Sequence, residues 1–239
     1  MSYKLLSYPE DATLAREAAK SFLEKLAARN KSKPFTVALS GGRIAKTFFT
    51  EIVRQSLSQP ASFAGVHFYW ADERCVPPAD PESNYAVARQ LLLEPLMIPL
   101  PQIHRLQGEQ PEPLALQQAV KAIVEVAGLV EEQPRLDLVI LGMGEDGHVA
   151  SLFPGEPEAV MASPDIYRGV TAVKPPPKRI TLGYGAIAKA VETWVMVSGA
   201  GKEKALGQSL SGTNGTPLGR VLKLRKETLI FSDVKPVLV

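Results

Sequence analysis

Strand-length apolar runs alternate with helical patterns along the whole chain, and this alternation constrains the fold more tightly than any other feature of the sequence. The runs are YKLLSY (3–8), FTVALS (35–40), VHFYWA (66–71), LDLVILG (136–142), GVTAV (169–173), TWVMVSG (193–199) and ETLIFS (227–232). Several are rich in β-branched or aromatic residues and almost unbroken in hydrophobicity, the pattern of strands covered on both faces. After Gly42, the residues Ile44, Phe48, Phe49, Ile52, Val53 and Leu57 recur at helical spacing, and LALQQAVKAIVEVAGLV (114–130) reads as another amphipathic helix. Asp11 is placed to cap a helix through AREAAKSFLEKLAARN, and Ser83 or Asn84 one through QLLLEPL. The alternation predicts an α/β fold with a doubly wound, mostly parallel, Rossmann-like sheet and helices on both faces. The proline-bearing segments PPADPES (77–83), EQPEP (109–113) and KPPPKR (174–179) read as loops, because regular patterns resume within a few residues. Residues 1–239 are therefore expected to form a single domain.

Composition narrows the partners. A chain of 239 residues, 45% hydrophobic and 22% charged, can bury a sizeable core without disulfide staples. Its one cysteine excludes an internal disulfide framework and fits a reducing compartment. A formal charge of +2 is too small to point to nucleic acid or another polyanion. The N-terminal MSYKLLSYPEDATLAREAAK lacks the apolar core of a signal peptide, and no apolar run is long enough to span a membrane. The expectation is a cytoplasmic protein, a monomer or small homo-oligomer, that binds neither nucleic acid nor membrane.

Ligands of open parallel sheets bind at the carboxyl ends of strands, beside a reversal of strand order. The segments that follow the strands are therefore the place to look for chemistry. FTVALS leads into Gly41-Gly42, VHFYWA into Asp72-Glu73-Arg74, LDLVILG into Met143-Gly144-Glu145-Asp146-Gly147-His148, and TWVMVSG into Ala200-Gly201-Lys202. These segments carry glycines and charges, whereas the strands are almost bare of charge. Ser40-Gly41-Gly42 opening a helix can cradle an anion with free backbone N–H groups, although the same glycines would serve a plain turn. Lys202 can add a positive charge there, or simply be a solvated residue at a helix start.

Of the histidines, His67 lies inside a strand pattern and His104 in a polar loop, so both read as structural or surface residues. His148 stands apart, at the expected start of a post-strand helix and flanked by Gly147 and acids. An imidazole titrates near neutrality and suits general-base work. No second histidine or cysteine stands at ligand spacing, which disfavours a metal site. Ser151 is expected to face His148 across one helical turn, but the G-x-S-x-G of a nucleophile elbow is absent, so it reads as a helix-start serine. Only Arg74 marks Cys75 as anything but structural.

Taken together, these residues resemble the 6-phosphogluconolactonase family. GMGEDGHVASLFPG matches the family's G-x-G-x-D-G-H-x-A-S-L-F-P signature, and WADERCVPPADPESNY its D-E-R-x-V-P and S-N-Y segments. ALSGG, KRITL and VSGAGKEKAL correspond to further segments in the expected order, so the likeness runs from about residue 10 to 230. Glucosamine-6-phosphate deaminases share the G-x-G-x-D-G-H core, but follow it with I-A-F-N-E-P. Here Val149-Ala150-Ser151-Leu152-Phe153-Pro154 lacks that glutamate. Two departures stand out. Arg43 occupies the position where the family places a phosphate-binding hydroxyl, and Arg179-Ile180-Thr181-Leu182-Gly183-Tyr184-Gly185 keeps the family's arginine but loses its proline.

The resemblance implies hydrolysis of 6-phospho-D-glucono-1,5-lactone, a small phosphorylated sugar lactone, with no metal and no organic cofactor. On this reading His148 is the general base and Asp146 orients its ring. Arg74 stabilises the oxyanion or holds phosphate, and Asp72 fixes Arg74 or a sugar hydroxyl. Ser40, Gly41, Gly42, Arg43, Arg179 and Lys202 are the phosphate-side candidates. The alternatives are a deaminase or isomerase of the same fold, and a non-catalytic sugar-phosphate sensor.

Overall fold

The computed structural model describes residues 3–58, 62–212 and 215–237. Its centre is a six-stranded sheet formed by β1 (Tyr3–Ser7), β2 (Phe35–Leu39), β3 (Val66–Trp70), β7 (Leu138–Gly142), β10 (Glu192–Val197) and β11 (Thr228–Ser232). All neighbouring strands run parallel, in the order β1-β11-β10-β7-β2-β3. Strands β2 and β7 are buried almost throughout, as their unbroken apolar runs require.

The direction of winding reverses between β2 and β7. From β2 the chain passes through α2 (Arg43–Ser58) outward to β3, whereas from β7 it proceeds the opposite way to β10 and β11. Right-handed crossovers in opposite directions put the connecting helices on opposite faces. On one face α1 (Asp11–Ala28) packs on α2, with Phe22 edge-on to Phe48 at 6.1 Å between ring centres. On the other, α7 (Glu203–Ser211) and α6 (Tyr184–Lys189) pack against α8 (Pro217–Leu224). The buried side of α2 is Ile44, Ala45, Phe48, Phe49 and Ile52, while Leu57 lies outside the core and is exposed.

Several local expectations are corrected. The charged segment after β3 is itself a strand, β4 (Asp72–Arg74), which leaves the main sheet through Ala71 and pairs antiparallel with β9 (Lys178–Leu182). The strand expected at 169–173 is β8 (Tyr167–Thr171), and it completes this antiparallel three-stranded sheet instead of joining the parallel one. Lys178 and Arg179, read as part of a loop, begin β9. The helix expected over 114–130 is α4 (Glu112–Ala127), which starts inside the EQPEP segment. Gly128 ends it, and Leu129–Val130 (β5) then pairs with Gln133–Pro134 (β6). Asp11 lies within the first turn of α1, whose cap position is held by Glu10 without a side-chain bond. Ser83, in contrast, does cap α3 (Asn84–Ala88), accepting from the Ala86 N–H.

Candidate active site

A cavity of about 530 Å³ opens at the carboxyl ends of the strands, where the winding reverses. Loops following β2, β7 and β10 wall it, together with β4 and β9. Of the residues singled out in the sequence, Ser40, Gly41, Gly42, Arg43, Asp72, Arg74, His148, Arg179 and Lys202 all line it. Asp146 stands behind His148.

No helix starts at His148, contrary to expectation; the next helical turn after β7 comes only at Glu158–Met161. The chain turns tightly instead, with Gly147 N–H donating to Gly144 C=O and Gly144 N–H to His148 C=O. Gly147 (φ 81) and Ala150 (φ 50) adopt left-handed backbone that a right-handed helix cannot continue through. His148 folds back over Gly144, whose missing side chain leaves the space the imidazole occupies. Asp146 Oδ1 lies 2.5 Å from His148 Nδ1 and also accepts from the His148 backbone N–H at 3.1 Å. A carboxylate at Nδ1 fixes the proton there and leaves Nε2 with a free lone pair. Burial pushes the Asp146 carboxyl up, but the His148 N–H and ring outweigh it and hold the group below its ordinary value. The imidazole also packs on Phe153, 5.0 Å between ring centres.

Ser151 does not face His148. It is fully buried and donates to Asp72 Oδ2 at 2.7 Å, while its N–H donates to Thr181 Oγ1. Alternation along β4 explains the division of labour there: Asp72 and Arg74 point to the cavity side, and Glu73 to the opposite side. Sequence reasoning missed Glu73 and Asn84. The buried Glu73 carboxylate accepts from Arg74 N–H, Ser83 Oγ, Asn84 N–H and Tyr85 N–H, holding the start of α3 against the site. Burial pushes its carboxyl up against those four bonds. Asn84 donates to the Asp72 carbonyl at 2.9 Å and rests its side chain on Gly41. A glutamate between two site residues and an S-N pair at a helix start were the available signals.

At the end of the cavity nearest α2, Ser40 Oγ is buried without a hydrogen-bond partner among the described residues. It stands beside the N-terminus of α2, where free N–H groups and the helix dipole favour an anion. Arg43 lays its guanidinium on Gly199, which has room for it only because it lacks a Cβ. Lys202 is lowered from its ordinary value by burial first and then by the Arg43 charge. Neither cation makes a hydrogen bond or close ion pair with a described residue. Asp233 holds the intervening loop by accepting from Ser198 Oγ at 2.8 Å and Gly199 N–H at 3.0 Å.

The remaining histidines lie outside the site. His67 Nδ1 and His104 Nε2 are 2.9 Å apart, and His104, stacked on Tyr69, is pushed down to about 4 by burial. Burial raises the Cys75 thiol, which leaves it unactivated as a nucleophile. Among the described residues no group of three or more histidine, cysteine or acidic side chains is arranged to hold a metal. No helix there is long and apolar enough to cross a membrane.

A carboxylate-held imidazole and cations without a close ion pair line one cavity in the switch-point crevice of a doubly wound sheet, an arrangement that fits the class of proteins binding small anionic ligands. The family described as glucosamine-6-phosphate isomerases/6-phosphogluconolactonase matches residues 9–231, and the chain belongs to it. It is 30% identical over 223 residues to a 6-phosphogluconolactonase of Mycobacterium tuberculosis, covering 90% of this chain and 88% of that protein. A probable chloroplastic 6-phosphogluconolactonase of Oryza sativa is 36% identical over 210 residues, 83% of this chain, and the matched region is 62% of the rice protein's length. Among solved structures, a 6-phosphogluconolactonase from Trypanosoma cruzi superposes with a TM-score of 0.82 at 26% identity, covering 97% of this chain and 96% of that one.

Proposed function

We propose that the protein hydrolyses 6-phospho-D-glucono-1,5-lactone to 6-phosphogluconate, the second step of the oxidative pentose phosphate pathway. One observation carries this reading: the Asp146-held imidazole of His148 shares a cavity with a helix N-terminus, a buried unpartnered hydroxyl and two unpaired cations. The phosphate sits at Ser40, Gly41, Gly42, Arg43 and Lys202. A δ-lactone is an activated ester, so water attacks it directly. His148 Nε2 takes a proton as the water oxygen bonds to the ring carbonyl carbon. The carbonyl electrons move onto oxygen, and a cationic side chain stabilises the oxyanion. Collapse re-forms the C=O and breaks the bond to the ring oxygen, which takes the proton from the imidazolium. The acid ionises at neutral pH, so each turnover releases one proton.

Names of relatives and the shared family support the substrate class. The Asp72 carboxylate already accepts from Ser151 Oγ at 2.7 Å and Asn84 Nδ2 at 3.4 Å, which suits a role in holding the site rather than in proton transfer. The substrate is a small molecule, and the single cysteine suits the cytoplasm. The test is acid release from freshly generated lactone, with and without protein, because the lactone also opens spontaneously. A rate equal to the spontaneous one overturns the reading.

A further inference from the structure

The loop that carries His148 is planted on the small antiparallel sheet at two points. Asp72, Thr181 and Arg168 are directly paired across β4, β9 and β8, so their side chains form one row on one face. At one end of the row Ser151 donates its hydroxyl to Asp72 and its N–H to Thr181. At the other, Arg168 Nη2 donates to both oxygens of Glu156, at 2.7 and 2.9 Å. The Arg168 and Glu156 side chains are only 10% and 14% exposed, and neither residue lines the active-site cavity.

Between these feet the chain arches. Leu152 is buried, Pro154 and Gly155 turn the chain in the open, and Gly155 takes the left-handed conformation (φ 82) that such a turn asks of a glycine. The span carries Phe153, whose ring centre lies 5.0 Å from that of His148 and 5.7 Å from the Arg179 guanidinium. The Asp146 carboxylate fixes the imidazole at one ring atom, Nδ1, and leaves it free to pivot about that contact. The Phe153 ring blocks the pivot and so sets where Nε2 points. Released at Glu156, the span would be anchored at one end only, and its exposed turn has no core packing to keep its shape.

Resting on the proposed lactonase reading for what the imidazole does, we infer that Glu156 and Arg168 are a positioning pair for His148, acting through Phe153. The ion pair fixes the far end of the arch, the arch fixes the Phe153 ring, and the ring fixes the line along which Nε2 meets the attacking water. Misplacing a reacting group by about 1 Å can cost about a hundredfold in rate, so a pair outside the cavity can govern turnover.

The test reads His148 both by NMR and by turnover. In the folded protein the Phe153 ring current displaces the imidazole Cε1–H signal of His148, and Phe153→Leu identifies that displacement by removing it. Arg168→Gln should move the signal most of the way to its Phe153→Leu position, lower kcat about ten- to a hundredfold and leave KM unchanged. Binding of glucitol 6-phosphate (the product chain with an uncharged head) should also be unchanged, because the phosphate end does not depend on the arch. Arg168→Lys should restore most of both readouts, since a single nitrogen of Arg168 makes both contacts and an ammonium can do the same. Where Arg168→Gln leaves too little folded protein, Glu156→Gln, which keeps an acceptor for the arginine, should shift both readouts the same way and less. In the Phe153→Leu background either change should add little further loss of kcat. Glu158→Gln, at the neighbouring pair with Arg220 where the glutamate side chain is 69% exposed, should change neither readout. An unmoved His148 signal in Arg168→Gln and Glu156→Gln would overturn the inference, as would kcat losses that add fully to that of Phe153→Leu. A wild-type protein without lactone turnover would sink the proposed activity, while the His148 signal would still decide whether the pair holds the imidazole.

Discussion

The Ser151 hydroxyl donates to Asp72 Oδ2 at 2.7 Å, tying the loop that carries His148 to the strand that carries Arg74. Both partners are buried, so the bond has no competing water. Ser151→Ala should leave a carboxylate oxygen unsatisfied and cost about 1–3 kcal/mol of stability. Turnover should fall with little change in KM, because the bond positions the base and not the phosphate. Thermal melts and steady-state kinetics check both parts. A destabilised variant with wild-type turnover would reduce the bond to a structural one.

His148→Ala should lower turnover by about 10²–10⁴-fold, the usual share of a general base, with ligand affinity nearly unchanged. Asp146→Asn keeps the size of the side chain but removes the negative charge that fixes the Nδ1 proton, so turnover should again fall. The Asp146 carboxyl is held low in the folded protein, so its stabilising contribution is present above the ordinary carboxylate range. It is lost as pH falls through the lower folded value. Acid melts of wild type and Asp146→Asn should therefore converge at low pH.

Arg43 and Gly199 should behave as a coupled pair. Arg43→Ala should raise KM for the phosphorylated lactone about tenfold, with turnover at saturation nearly unaffected. Gly199→Ala fills the space of the guanidinium at a left-handed position (φ 93), and should also raise KM. In the double variant the second change should add little, because the arginine it would displace is gone. Fully additive effects would assign the Gly199→Ala defect to backbone strain alone.

Lys202 gives the site an alkaline limit. Burial and the Arg43 charge lower its ammonium, so as pH rises it loses its proton before a free lysine, whose pKa is about 10.4, would. Glucitol 6-phosphate binding should weaken over that range, as the phosphate loses a cationic partner. Arg43→Ala removes one of the two depressing causes and should move the onset to higher pH. Calorimetry across pH tests the direction.

Every step of the proposed hydrolysis is assigned to a side chain or to water, so chelator treatment should leave the rate unchanged. With Val149 to Pro154 in place of the deaminase segment, glucosamine 6-phosphate should release no ammonia. Ammonia release, measured with a coupled assay, would exchange the activity for its relative in the fold.

The parallel sheet was legible because burial on both faces writes itself as continuous hydrophobicity, as in Phe35–Leu39 and Leu138–Gly142. Most residues of the site were legible because they follow strands, whereas Arg179, inside β9, was legible only through the family resemblance. Their connections were not. Asp72–Arg74 is too short a strand to show a period, and its partner lies about a hundred residues away at Lys178–Leu182. The expected helix at His148 failed because glycine content signals a turn without saying whether a helix resumes, and the left-handed Ala150 prevents it. The role of Ser151 depends on Asp72, 79 residues earlier, and no local pattern announces such a partner.

The reversal of winding between β2 and β7 has a consequence for assembly. The anchors of the site come from Ser40 to Arg43, Asp72 to Arg74, Gly144 to His148, Arg179 and Lys202, and no contiguous third of the chain holds them all. They converge only once β7 has docked beside β2, a non-local pairing that must wait for loop closure. Ligand recognition is therefore a late reporter of refolding. Helical signal should return first, and the ability to retain a phosphorylated sugar only when the two halves of the sheet have met.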